Sequence, residues 1–130
     1  MILKVIIALV IVGVILYHVF PLIQVTGDSM YPTYLDGEII VGTKLYRKSK
    51  LKEGDVVLYH SPTDEKIVIK RIDHFLIDGK KRYIYCLGDN LDHSYDSRVY
   101  GFISSKNLVC KVINQRRNIS YVCNQERQDS

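Results

Sequence analysis

Hydrophobic and polar positions divide this chain into two unequal parts. Val5 to Val25 reads V-I-I-A-L-V-I-V-G-V-I-L-Y-H-V-F-P-L-I-Q-V, with His18 and Gln24 as its only polar residues and no acid. About 20 such residues span a bilayer core as a helix. The run therefore predicts a transmembrane helix, ended or kinked by Pro21. Lys4 and the amino terminus flank one end, and Tyr17, His18 and Phe20 suit the interface at the other. The run is too long for a secretory signal core and no A-x-A-like cleavage site follows it, so it reads as a retained anchor. The positive-inside tendency places the N-terminus in the cytoplasm and the remaining chain outside. The expected division is an anchor over 1–24, one folded domain over 25–113 and a polar C-terminal tail over 114–130.

Beyond the anchor the period changes. Glu38–Leu45, Val56–His60, Lys66–Phe75, Phe75–Ile77 with Lys81–Leu87, Val99–Ile103 and Asn107–Ile113 read as short strands. Asp36-Gly37, Glu53-Gly54-Asp55, Ser61–Glu65 and Asp78-Gly79 supply turn chemistry between them. No helical pattern appears after the anchor. The fold class is all-β, in antiparallel sheets, preceded by one N-terminal transmembrane helix.

Composition adds limits. The 130 residues have room for one modest core beside the anchor. A net charge of +4 is mild and does not indicate nucleic acid. The loop carrying Lys44, Arg47, Lys48, Lys50 and Lys52 reads first as a solvated connector, and second as a contact for anionic headgroups. Cys86, Cys110 and Cys123 lack metal-ligand spacing, so no metal and no cofactor is expected, and Cys86 and Cys110 read as buried thiols.

Candidate chemistry centres on Val25–Tyr34, V-T-G-D-S-M-Y-P-T-Y, directly after the apolar run. A turn can use Gly27 and Pro32, but it does not need Ser29 and Met30. Ser29 as a nucleophile needs a base. Side chains alternate along a strand, so Lys70 shares a face with Val68 and Ile72. Burial there depresses a lysine pKa and frees the amine for base chemistry. A lysine snorkelling at a sheet edge fits the same parity. By that parity His74 is a rival base on the same face, whereas His60 and His93 sit at loop edges.

Four stretches, in order, resemble the type I signal peptidase family of membrane-bound Ser-Lys endopeptidases, in a short Gram-positive-like form. G-D-S-M-Y-P-T (27–33) resembles the nucleophile box, and E-G-D-V-V-L-Y (53–59) the strand that follows. I-V-I-K-R-I (67–72) resembles the base-carrying box, and G-D-N-L-D-H-S-Y-D-S-R-V-Y-G (88–101) the last box. The resemblance implies Ser29 as nucleophile and Lys70 as general base, with Ser94 orienting the Lys70 amine. Asp96 and Arg98 would pin the last box as an ion pair. Met30 and Pro32 would lie near the substrate, Met30 as an apolar filler, while Asp89 and Asn90 read as turn formers. Gly27 stands where some relatives carry an oxyanion-binding Ser, so it offers only backbone there. The seventeen residues between Lys70 and Gly88 hold a hairpin where larger relatives insert a second β domain. The implied activity is removal of signal peptides from exported preproteins, after small residues at −3 and −1, at the outer face of the cell membrane. The implied partners are preproteins and the lipid bilayer, with no nucleic acid and no obligate protein partner. A non-catalytic or specialised homologue acting in assembly of surface structures is the alternative.

Overall fold

In the computed structural model, which describes residues 1–118, the apolar run splits in two. Ile2–Val19 forms helix α1, exposed along its length. Its eighteen residues make about 27 Å at 1.5 Å each, close to the thickness of a bilayer core. The helix stops earlier than hydropathy alone predicts. Pro21 has no N–H with which to extend the helical ladder. The backbone there pairs elsewhere: the Val19 and Pro21 carbonyls accept from Lys44 N–H at 3.0 Å and Gly42 N–H at 2.8 Å. Leu22–Gln24 is accordingly strand β1.

The other strands are β2 (Ile39–Thr43), β3 (Val56–His60), β4 (Ile67–Asp78), β5 (Lys81–Leu87), β6 (Ile103–Ser104) and β7 (Leu108–Val112). They form one seven-stranded antiparallel sheet in the order β1-β2-β7-β3-β4-β5-β6. This is the all-β fold expected behind an N-terminal apolar helix. The strand β3 explains how both faces are covered, since V-V-L-Y has no polar alternation and all four side chains are buried. Val56 and Leu58 join Val25, Met30, Tyr34, Ile40, Ile69, Cys110 and Val112 on one face. Val57 and Tyr59 join Leu51, Ile72, Ile84, Cys86 and Ile103 on the other. Cys86 and Cys110 are buried free thiols. Cys123 lies outside the described residues.

Three local departures matter for the site. The strand expected to end at Phe75 continues to Asp78 and turns back through Gly79, and its pairing with β5 shifts by one residue between Ile72 and His74. That shift is a β-bulge. The expected strand over Val99–Ile103 is mostly absent. Ser97–Tyr100 instead makes one helical turn, α2, which Asp96 caps by accepting from Arg98 N–H at 3.1 Å. Gly101, at φ +79°, ends that turn. Finally, Gln115 belongs to the domain although it was expected in the tail. Its amide nitrogen donates to the Val56 and Val112 carbonyls, and its amide oxygen accepts from Val56 N–H at 2.7 Å.

Strand register also fixes the height of the sheet relative to α1. Thr43 pairs with Lys111, Lys111 with Val57, and Val57 with Lys70. Lys44, next after Thr43, bonds the last residue of α1. Lys70 thus lies four strand spacings, roughly 19 Å, sideways from the helix end and close to the same row.

Candidate active site

The loop from Thr26 to Tyr34 is fixed from beneath by two fully buried side chains, Met30 and Tyr34. Gly27, at φ +83°, lets the chain turn into it. Between these points Ser29 is carried over β4, where its Oγ lies 2.8 Å from Lys70 Nζ. Lys70 is only 4% exposed. Burial pushes its amine below the ordinary lysine range, against the opposing pull of the nearby Asp96 carboxylate.

This shift has a sign that can be checked. The unfolded chain holds the Lys70 proton to higher pH than the folded one, so wild-type stability falls as pH drops from the unfolded pKa towards the folded one. Lys70→Met removes that penalty. Its melting temperature is expected to exceed wild type near neutrality, with the gap narrowing as pH rises through the alkaline range. Thermal unfolding in detergent across that range is the measurement.

The last box closes over this pair. Gly88 has no room for a side chain: a Cβ there would lie 2.1 Å from Ser94 Oγ and 2.6 Å from the Ser29 carbonyl oxygen. Asn90 holds both peptide units flanking Ser29. Its N–H donates to the Ser29 carbonyl at 2.9 Å and its Nδ2 to the Asp28 carbonyl at 3.0 Å. In a trans peptide the N–H points opposite to the C=O, so pinning the Asp28 carbonyl aims the Ser29 N–H away from Asn90. The Gly27 N–H is engaged by Asp36 Oδ1 at 2.9 Å.

Asp89 is buried and accepts from Arg71 Nε and Nη2, both at 2.8 Å, and from Thr33 Oγ1 at 2.5 Å. It thereby ties the strand carrying Lys70 to the loop carrying Ser29. Asp96, fully buried, accepts from Gly88 N–H at 3.0 Å and from Arg98 Nε at 2.9 Å. Burial alone would raise its carboxyl, but the bonds from the Arg98 guanidinium and from the Gly88 and Arg98 N–H groups outweigh that and hold its pKa below the usual range. The Ser94 hydroxyl is itself buried. It is close enough to assist Asp96 but makes no hydrogen bond of good geometry.

The Arg71–Asp89 pair makes its own prediction. Arg71→Met leaves a buried carboxylate without its bidentate partner, which typically costs about 3 kcal/mol or more. Arg71→Lys is expected to recover little of it, because an ammonium cannot match the two-pronged geometry. Chemical denaturation of the three proteins compares them.

The chain's similarity to known proteins agrees with this geometry. The family described as "Signal peptidase, peptidase S26" matches residues 1–73 and 79–115. The chain belongs to the S26 signal peptidase family. Among individual S26-type relatives, the mitochondrial inner membrane protease subunit 1 of Schizosaccharomyces pombe is 33% identical over 114 residues, covering 74% of this chain and 73% of that protein. The mitochondrial ATP-independent inner membrane protease subunit 1a of Arabidopsis thaliana is 37% identical over 99 residues, covering 60% and 59%. Signal peptidase I V of Bacillus subtilis is 26% identical over 134 residues, covering 66% and 79%.

Within this S26 domain, His74 does not share the face of Lys70 as strand parity predicts. The bulge at Asp73 reverses the alternation, so Phe75 joins Val68 and Ile72 on the core face. His74 instead stacks on Tyr85 and bonds Asp73 at 2.6 Å. Met30 fills the core under the loop and presents no surface to a substrate, whereas Pro32 is exposed after a cis Tyr31–Pro32 peptide. Arg71, Asp89 and Asn90 hold the site together. Sequence reading took Asp89 and Asn90 as turn formers and gave Arg71 no role. The available signal was an arginine beside Lys70, at a half-buried strand position that needs a counter-charge.

A cleft is built from chain segments that adjoin the pair in sequence, Thr26 three residues before Ser29 and Ile69 next to Lys70. It measures about 350 Å³ and is lined by Pro21–Thr26 together with Leu58, Ile67, Ile69, Val109 and Cys110. Its walls lead along the chain to Ser29 on one side and Lys70 on the other.

Proposed function

We propose that this chain is a membrane-anchored serine endopeptidase that removes N-terminal signal peptides from exported preproteins, with Ser29 as nucleophile and Lys70 as general base. The observation that carries the reading is the 2.8 Å contact between Ser29 Oγ and a Lys70 amine that is 4% exposed. Neutral Lys70 takes the Ser29 proton as Oγ attacks the scissile carbonyl. The resulting ammonium returns that proton to the leaving amine, and an acyl-enzyme ester remains. Lys70 then deprotonates a water that attacks the ester and frees Ser29. The Ser29 N–H, aimed by the Asn90 clamp, serves as an oxyanion donor. Asp96 acts as a support that fixes Gly88 and Arg98, and Ser94 is the buried wall against which Gly88 packs.

The cleft takes the residues preceding the cut, and its mostly apolar lining suits uncharged side chains there. The anchor lies in the cell membrane with the N-terminus cytoplasmic and the sheet on the outer side. Because Lys70 sits close to the same row as the end of α1, a substrate held in the same bilayer presents its cleavage site at a matching height. Confinement in one bilayer raises the effective concentration of each partner. Membership in the S26 family supports this reading, and the presence of both Ser29 and Lys70 weighs against an assembly role without catalysis.

The test is cleavage of a preprotein in liposomes by wild type and Ser29→Ala, with the new N-terminus sequenced. Cleavage after a small residue by wild type alone supports the reading, and no cleavage by wild type opposes it. The rate is expected to rise with pH through the depressed Lys70 pKa. Lys70→Arg, permanently charged, is expected to be inactive at every pH.

A further inference from the structure

Arg116 follows the last strand, in a stretch whose polar composition reads as tail, and the chemistry above makes no use of it. Its side chain is nevertheless aimed at the loop that carries Ser29. Arg116 Nη1 donates to the Thr33 carbonyl at 3.1 Å. Its Nη2 pairs with Glu38 Oε1 at 2.5 Å, and the other Glu38 oxygen accepts from Leu35 N–H at 3.0 Å. The guanidinium also stands 4.9 Å from the ring centre of Tyr34, within cation–π range. Two residues before it, the Asn114 carbonyl accepts from the Tyr34 hydroxyl at 2.9 Å. The grip thus falls on Thr33, Tyr34 and, through Glu38, Leu35, directly downstream of Ser29.

The backbone of Arg116 faces the base. Its carbonyl accepts from Arg71 Nη2 at 2.7 Å, and Arg71 adjoins Lys70. Arg71 in turn holds Asp89, which accepts from Thr33 Oγ1. The bonds close a ring: Arg116 to Thr33, Thr33 to Asp89, Asp89 to Arg71, and Arg71 back to Arg116. Thr33 lies in the nucleophile loop, Asp89 beside the Asn90 that clamps Ser29, and Arg71 beside Lys70. Arg116 has no such neighbour, so its place in the ring is to join loop to strand. Gln115 makes the joint firm by fastening the segment to Val56 at the start of β3.

We propose that Arg116 is a positioning residue for the Ser29–Lys70 pair. Its side chain holds the Ser29 loop and its carbonyl holds the Lys70 strand, which keeps Oγ within reach of Nζ. The proposal rests on the peptidase reading and adds to it a residue outside the four boxes.

The experiment compares the full chain in detergent as wild type, Arg116→Gln and Arg116→Lys. It reads thermal unfolding, kcat and KM on a preprotein, and amide hydrogen exchange over residues 26–35. The Arg116 side chain is 38% exposed, so glutamine leaves no buried hole and the melting temperature is expected to stay within a few degrees of wild type. In Arg116→Gln, kcat is expected to fall on the order of 10-fold, since a small displacement of a reacting group already slows the step. KM should change little, because Arg116 does not line the cleft. Exchange over 26–35 should rise several-fold while β3 and β5 exchange as in wild type. Arg116→Lys keeps a charge but not the fork that reaches Thr33 and Glu38 together, and is expected to fall between the two. An unchanged kcat in Arg116→Gln, measured well below its melting temperature, would overturn the proposal. So would unchanged exchange over the loop, or a rise in KM alone. If wild type itself cleaves nothing, the peptidase reading fails, and the exchange result still decides whether Arg116 fixes the Ser29 loop.

Discussion

Lys70→Ala and Ser29→Ala are each expected to lower kcat for preprotein cleavage by at least ~10⁴-fold, with the double variant scarcely worse than either one. Non-additivity is expected because nucleophile and base act as one unit. Without Lys70 nothing accepts the Ser29 proton, since no histidine is bonded to Ser29 among the described residues. His60 bonds the Glu65 carbonyl and His74 bonds Asp73, while His93 donates its backbone N–H to Asn90. His74→Ala is therefore expected to cleave at the wild-type rate. Rate assays on the four variants, with circular dichroism as the check on folding, decide the matter. Loss of activity in His74→Ala together with its survival in Lys70→Ala would refute the assignment.

Gly88→Ala is expected to be nearly as damaging, although the substitution adds one methyl group to a residue with no chemistry. The new carbon meets Ser94 on one side and the Ser29 carbonyl on the other. The Ser29 side of that clash is backbone and cannot swing away. Relief requires moving Ser29, and a shift of about 1 Å in a reacting group can cost on the order of 100-fold in rate. Gly42→Ala is the control. Its Cβ would also be crowded, at 2.8 Å from Cys110 Sγ and 2.9 Å from Ile23 Cδ1. Those are side-chain ends that can give way where backbone cannot, although both line the cleft, so Gly42→Ala is expected to lower the melting temperature and raise KM more than it lowers kcat. Comparing kcat with thermal unfolding for both variants separates the effects. A Gly88→Ala enzyme with wild-type kcat would show that the last box does not position Ser29.

Much of this architecture is legible in the sequence because the signals are local. The apolar run predicts α1, and Asp78-Gly79 predicts the hairpin. V-V-L-Y gives a strand buried on both faces. The places where sequence reading fails have non-local or competing causes. Hydropathy cannot separate the end of α1 from β1, since Ile23 and Val25 are as apolar as the helix; what decides is the backbone pairing with β2 that follows Pro21. The bulge at Asp73 leaves no mark in composition, and it moves His74 off the face that parity assigns it. Val99–Ile103 reads as a strand only if the Asp96 cap and the left-handed Gly101 are ignored. The contact of Ser29 with Lys70 spans 41 residues, and its position could be anticipated only through the order of the boxes. The clamp by Asn90 and the Arg71–Asp89 bridge are wholly tertiary. Gln115 shows the same limit at the other end of the chain. Its polar side chain reads as tail, yet it satisfies the backbone of Val56, where β3 begins.

The most direct measurement on the central claim is intact-mass analysis of the enzyme mixed with a slowly hydrolysed peptide ester. Wild type is expected to gain one acyl group, mapped by fragmentation to Ser29, with its formation accelerating as pH rises through the depressed Lys70 pKa. Lys70→Ala is expected to gain none. An adduct on another residue, or one that forms on Ser29 equally well without Lys70, would contradict the account.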